Sequence, residues 1–114
     1  MAEGISKESE IRIAVGLDEN NVPQEIKWHA SDNEAEKECK AVMLSVWDGE
    51  SRDTLRIDLW NKDMQVDEMK LFMHQTIHTL ADTFERATGE QPMAMAMRDF
   101  CDYFAEKMGL LNDQ

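Results

Sequence analysis

Between Ser9 and Leu17 apolar and polar letters alternate, with Ile11, Ile13, Val15 and Leu17 on one side and Glu10, Arg12, Ala14 and Gly16 on the other. A period of two is the mark of a half-buried strand. Asp18-Glu19-Asn20-Asn21-Val22-Pro23 follows as a turn, because Asn tolerates left-handed backbone angles and Pro23 has no N–H for a ladder. Gln24–Ala30 alternates again, with Ile26 and Trp28 inward and Lys27 and His29 outward, which predicts a hairpin. Thr54–Trp60 repeats the pattern with Leu55, Ile57 and Leu59 inward.

The segment between these strands is read as a helix. Ser31-Asp32-Asn33-Glu34 has the spacing of a capping box, and Ala35, Cys39, Val42, Met43 and Val46 fall on one helical arc up to about Trp47. Glu36 and Lys40 stand at i,i+4 in the favourable order. Leu44 breaks the arc, and the alternative is a strand over Val42–Trp47 paired with Thr54–Trp60 across Asp48–Asp53. Further on, Val66, Met69, Met73, Ile77, Leu80, Phe84 and Ala87 recur every three or four residues, predicting a helix from about Gln65 to Gly89. Pro92 suits the first turn of a last helix that Gly109 ends, with Met93, Met97, Phe100, Phe104 and Met108 as its stripe.

The expected fold is α+β in the order β-β-α-β-α-α: a small antiparallel-type sheet packed on one face by two C-terminal helices. A right-handed crossover would set the third strand beside the first. Four strands followed by two helices is the alternative. Residues 1–8 read as a flexible N-terminus and residues 9–114 as a single domain, in keeping with the length of 114.

Composition narrows the function classes. The formal charge of −12 is shared almost evenly between the two halves of the chain, so it is no detachable tail. Such a field repels phosphate backbones and anionic lipid, which argues against nucleic acid and bare membrane as partners. Two cysteines, Cys39 and Cys101, form no framework or CxxC site and suit a reducing compartment as small buried groups. No apolar run opens the chain, and none reaches the roughly 18 residues of a membrane span. The cytoplasm is therefore the expected location, with no direct membrane insertion.

Chemistry is sparse. His74, His78 and Asp82 stand at i, i+4 and i+8 and can share one side of a helix, the spacing with which two imidazoles chelate a divalent metal. They lack the Glu of HExxH and a fourth ligand nearby, and they rotate away from the core stripe. A solvated face, with Asp82 paired to Arg86, is the stronger reading. No Gly-rich phosphate loop, nucleophile elbow or paired carboxylates occur, so no catalytic residue and no cofactor are assigned. What remains is surface. Trp28, Trp47 and Trp60 lie near element ends, where an indole either packs at the rim of a core or offers a contact. Leu71 and Phe72 fall off the stripe of their helix, as Leu44 and Met95 do on theirs, and would widen an apolar patch.

The runs Lys40–Asp48, Thr54–Asp63, Val66–Met69, Ala81–Gly89 and Met97–Phe104, with the opening turn Leu17–Pro23, closely resemble the gliding-motility protein GldC family over about residues 9–108. The resemblance implies a small, soluble, cytoplasmic protein of the set tied to surface gliding, an envelope motor and type IX protein secretion. It carries over no catalytic residue, cofactor or ligand. The expectation is thus a non-enzymatic accessory or adaptor that binds a protein partner of the gliding machinery through Leu71, Phe72, Trp60, Trp47 and Trp28. A metal- or small-ligand-binding regulatory domain at His74, His78 and Asp82, and a self-assembling unit closed as a symmetric homodimer, are the alternatives.

Overall fold

In the computed structural model, which describes residues 4–31 and 35–110, five strands precede two helices. The fold is α+β, and its chain divides into two compact units, residues 1–64 and 65–114. In the first unit, β1 (Ile11–Leu17) and β2 (Pro23–Ala30) form the expected antiparallel hairpin. Asp18 organises its turn: Oδ1 accepts from the backbone N–H of Asn20 at 2.8 Å and of Val22 at 3.0 Å, while Asn21 takes a positive φ of 62°. Asn is one of the few side chains that tolerate this conformation. At the open end Ser31 prolongs the ladder, donating from its N–H to Glu10 O at 2.9 Å and accepting from the Glu10 N–H on Oγ at 3.0 Å.

Over the described residues 35–47, the helix expected up to Trp47 is absent. That segment is strand: β3 (Lys37–Cys39) pairs with β2, and β4 (Ala41–Asp48) pairs with β5 (Asp53–Trp60). The chain changes sheets at Lys40. Most of the capping-box motif, Asp32-Asn33-Glu34, lies outside the described residues. The alternative of four strands before two helices was therefore nearer, and its pairing of Val42–Trp47 with Thr54–Trp60 is the observed one. The sheet order differs as well. The strand expected beside β1, Thr54–Trp60, is β5 and pairs with β4 in a second, two-stranded sheet, while β2 sits between β1 and β3 in the first. Asp48 closes the β4–β5 turn, accepting from the Glu50 N–H at 3.1 Å and the Ser51 hydroxyl at 2.8 Å, with Arg52 at φ 59°.

The second unit is a pair of helices, α1 (Val66–Thr88) and α2 (Gln91–Lys107). The Glu68 carboxylate accepts the Gln65 N–H at 2.9 Å at the start of α1, and Gly89 ends it in the left-handed conformation, φ 73°. Pro92 falls in the first turn of α2. Its other end is a Schellman motif: Leu110 N–H reaches Ala105 O at 2.8 Å and Gly109 N–H reaches Glu106 O at 3.3 Å, with Gly109 at φ 72° and Leu110 buried.

Both helices match their expected spans, yet their buried residues are not those of the expected stripes. Ala81 of α1 and Ala94, Cys101 and Ala105 of α2 are buried, whereas Val66, Leu80, Met93, Phe100 and Met108 are exposed. Ala94, Arg98, Cys101 and Ala105 follow at steps of four, three and four, so they share one face of α2. Arg98 fixes that face toward α1 by reaching Asp82 at 2.8 Å and Glu85 at 2.7 Å. Small side chains let two helix backbones approach closely, which is why the fully buried positions are small, while Met69, Met73, Ile77, Phe84, Met97 and Phe104 of the expected stripes are half-buried.

Candidate interaction surface

The β4–β5 hairpin separates its side chains into two faces of different chemistry. Directly opposed residues of an antiparallel pair share a face. The register Val42↔Leu59, Leu44↔Ile57 and Val46↔Leu55 therefore gathers six aliphatic side chains on one side. This face is open: Leu55 is 57% and Ile57 53% exposed, and Leu44 and Val46 are exposed as well. Val42, Leu44, Ile57 and Leu59 line a groove of about 290 Å³ with Ile11, Ile13 and Val15 of β1. Ile11, which also lines the groove, is 72% exposed. No ionisable group lines the groove, so it supplies neither acid nor base.

On the opposite face Ala41↔Trp60, Met43↔Asp58, Ser45↔Arg56 and Trp47↔Thr54 stand together. Trp47 is 60% and Trp60 56% exposed. Six residues separate Thr54 from Trp60, so the two indoles are roughly 20 Å apart at opposite ends of the face. Between them Arg56 holds Asp58 through both guanidinium branches, Nη2 to Oδ1 at 2.7 Å and Nε to Oδ2 at 3.2 Å, and also donates to the Ser45 hydroxyl. The carboxylate beside it raises the Arg56 pKa above its ordinary value.

The other residues singled out in the sequence are dispersed. Trp28 is half-buried in β2, opposite Ile13, with Lys37 Nζ 6.0 Å from the centre of its ring. In the helix pair Leu71 is exposed and Phe72 half-buried. His74 stacks on Phe104 with centroids 6.1 Å apart, His78 is exposed, and Asp82 is held by Arg98. Arg98, not Arg86, is thus the hydrogen-bonded partner of Asp82, and this bond is the main reason its carboxyl sits below the ordinary range. Among the described residues no three His, Cys, Asp or Glu side chains are grouped to hold a metal ion. Both cysteines are free, Cys101 buried and Cys39 half-buried, and burial raises both thiols. Among the described residues no helix is long and apolar enough to cross a membrane.

The aliphatic face was the part that residue-level reading missed as a surface. Leu55, Ile57 and Leu59 were correctly set on one side of a strand, but alternation reports only a shared side, not whether anything covers it.

The family model for gliding motility-associated, GldC-like proteins matches residues 23–110. The chain belongs to the GldC-like family. The match begins at Pro23, so it takes in β2 to α2 and the whole of the two-faced hairpin, and leaves out β1. No curated protein and no solved structure matches the chain. Membership associates this GldC-like protein with gliding motility.

Proposed function

We propose that this GldC-like chain is a non-enzymatic accessory of the gliding machinery, an adaptor that acts in the cytoplasm by binding another protein. Through gliding it would serve the process tied to type IX secretion. The observation that carries the reading is the pair of open indoles, Trp47 and Trp60, on a hairpin whose register is regular throughout. Tryptophan presents a large, stiff contact area at little entropic cost, and an indole more than half in solvent contributes little to its own fold. Exposed Leu71, with Phe72 beside it, offers a second contact on the helix pair. Free cysteines suit a reducing compartment.

The test replaces the natural chain in gliding cells by Trp47→Ala/Trp60→Ala and, separately, by Leu71→Asp. Each purified variant should unfold within about 1 kcal/mol of the parent, as exposed substitutions usually do. Cell spreading should fall in at least one of the strains, along with recovery of whichever gliding protein co-purifies with the parent. Normal spreading in both strains, with normal levels of folded variant, would refute the adaptor reading.

A further inference from the structure

We infer that β5 is a dimerisation strand, on which the β5 of a second copy of this chain pairs antiparallel about a two-fold axis at Ile57. β5 has one bonded neighbour among the described residues, β4, so no strand there pairs with its other edge. The Asn61 N–H donates to Lys40 O at 2.9 Å, which continues the ladder and sets its phase. Odd-numbered residues of β5 direct their backbone groups at β4, and Thr54, Arg56, Asp58 and Trp60 direct theirs outward. Proteins usually blunt such an edge with Pro, Lys or a bulge. The β1 edge has that protection, a register shift between Gly16 and Leu17. β5 contains no Pro and no Lys, and its register is unbroken.

The sequence of β5 reads as its own complement. An axis at Ile57 sets Arg56 against Asp58 of the other copy, Asp58 against Arg56, Leu55 against Leu59 and Ile57 against itself. Opposite charges meet on one face and aliphatic carbon meets aliphatic carbon on the other, the arrangement that stabilises cross-strand pairs. Moving the axis by one residue stacks Arg56 on Arg56 or Asp58 on Asp58. Moving it by two slides Asp53 or Asn61 against Ile57. The outward groups of four residues then form about eight backbone hydrogen bonds across the axis. Two hairpins, each marginal as an isolated two-stranded ribbon, become one four-stranded sheet with a doubled aliphatic face.

Pairing also builds a surface that one chain lacks. Trp60 comes opposite Thr54 of the other copy, whose own neighbour is Trp47, so indoles roughly 20 Å apart within one chain come to about 10 Å across the interface. The dimer does not rest on the adaptor reading, since a monomer could still present its indoles to another protein.

Sedimentation of the full chain at tens of micromolar, with variants of the two charged positions, tests the pairing. The parent should be a dimer. Arg56→Asp and Asp58→Arg each oppose like charges and should weaken association by about tenfold or more. Mixing the two variants in equal amounts should restore a dimer, because the carboxylate introduced in one then faces the guanidinium introduced in the other, and the unaltered Asp58 and Arg56 face each other as before. Restoration also shows that both variants fold. Ile57→Cys should cross-link to itself under mild oxidation, with Leu55→Cys and the parent as controls that do not. A monomeric parent would overturn the inference, and so would a dimer indifferent to these charges or a mixture that stays monomeric.

Discussion

Ile26 and Ile11 share a residue type, a sheet and a face, yet their truncations should differ severalfold in cost. The register sets Ile26 opposite Val15 in β1 and opposite Cys39 in β3, and leaves it 1% exposed. Ile11 lies at the end of the ladder, opposite Ala30, and is 72% exposed. Ile26→Ala removes carbon that is almost fully out of water and leaves a cavity that the flanking strands cannot close, for which large-to-small core changes cost about 2–5 kcal/mol. Ile11→Ala removes side-chain carbon that is mostly hydrated already, so its cost should stay below about 0.5 kcal/mol. Against a total stability of about 5–15 kcal/mol the first loss is large. Urea titration followed by tryptophan fluorescence isolates the right unit, because Trp28, Trp47 and Trp60 all precede residue 65. Equal costs for the two truncations, or a cost below about 1 kcal/mol for Ile26→Ala, would refute the assignment of this core.

Further outcomes follow from the turns, the seam and the charges. Asp18 has a lowered pKa, chiefly through Lys62 Nζ at 2.9 Å and then the Val22 and Asn20 N–H groups. A group depressed in the folded state stabilises above its ordinary value of 3.8 and loses that contribution as pH falls through the folded value. The midpoint of urea unfolding should therefore decline below about pH 4, and less steeply in Asp18→Asn, which should already be less stable at neutral pH. Gly109→Ala places a Cβ at φ 72°, where no neighbour lies within 4 Å, so backbone strain alone should cost about 1 kcal/mol in thermal unfolding. Gly49→Ala, at ordinary φ and in open space, should be nearly neutral. Arg98→Met removes the ion pairs to both Asp82 and Glu85, so far-UV circular dichroism should show a lower melting midpoint and a smaller dependence on salt than in the parent.

Most of the fold was legible because its signals were local. Alternation alone located β1, β2 and β5, and Gly89, Pro92 and Gly109 marked the helix ends through backbone properties that context rarely overrides. The error at residues 35–47 has a physical source. Ala41, Met43 and Trp47 put apolar side chains on the second face of β4, which blurs the period of two and lets Val42, Met43 and Val46 pass for a helical arc. The strand was still visible in Val42, Leu44 and Val46 beyond the Asp48–Asp53 turn, and Leu44, which spoiled the helix, belongs to the aliphatic face. In the helix pair, counting large apolar residues pointed to the methionines, whereas close approach of two backbones favours Ala81, Ala94, Cys101 and Ala105. Exposure of whole faces cannot be read from period at all, which is why the surface emerged only with the register.

Amide hydrogen exchange of the hairpin across a range of protein concentrations is the most direct measurement, because it reads the ladder and its open edge together. In dilute solution the amides of Leu55, Ile57 and Leu59 should be protected by β4 while those of Arg56, Asp58 and Trp60 exchange freely, and the second set should gain protection as concentration rises. Protection of Arg56, Asp58 and Trp60 that is already present on dilution would contradict an open edge in the single chain. Free exchange of the same three at every concentration would contradict its use by a second copy.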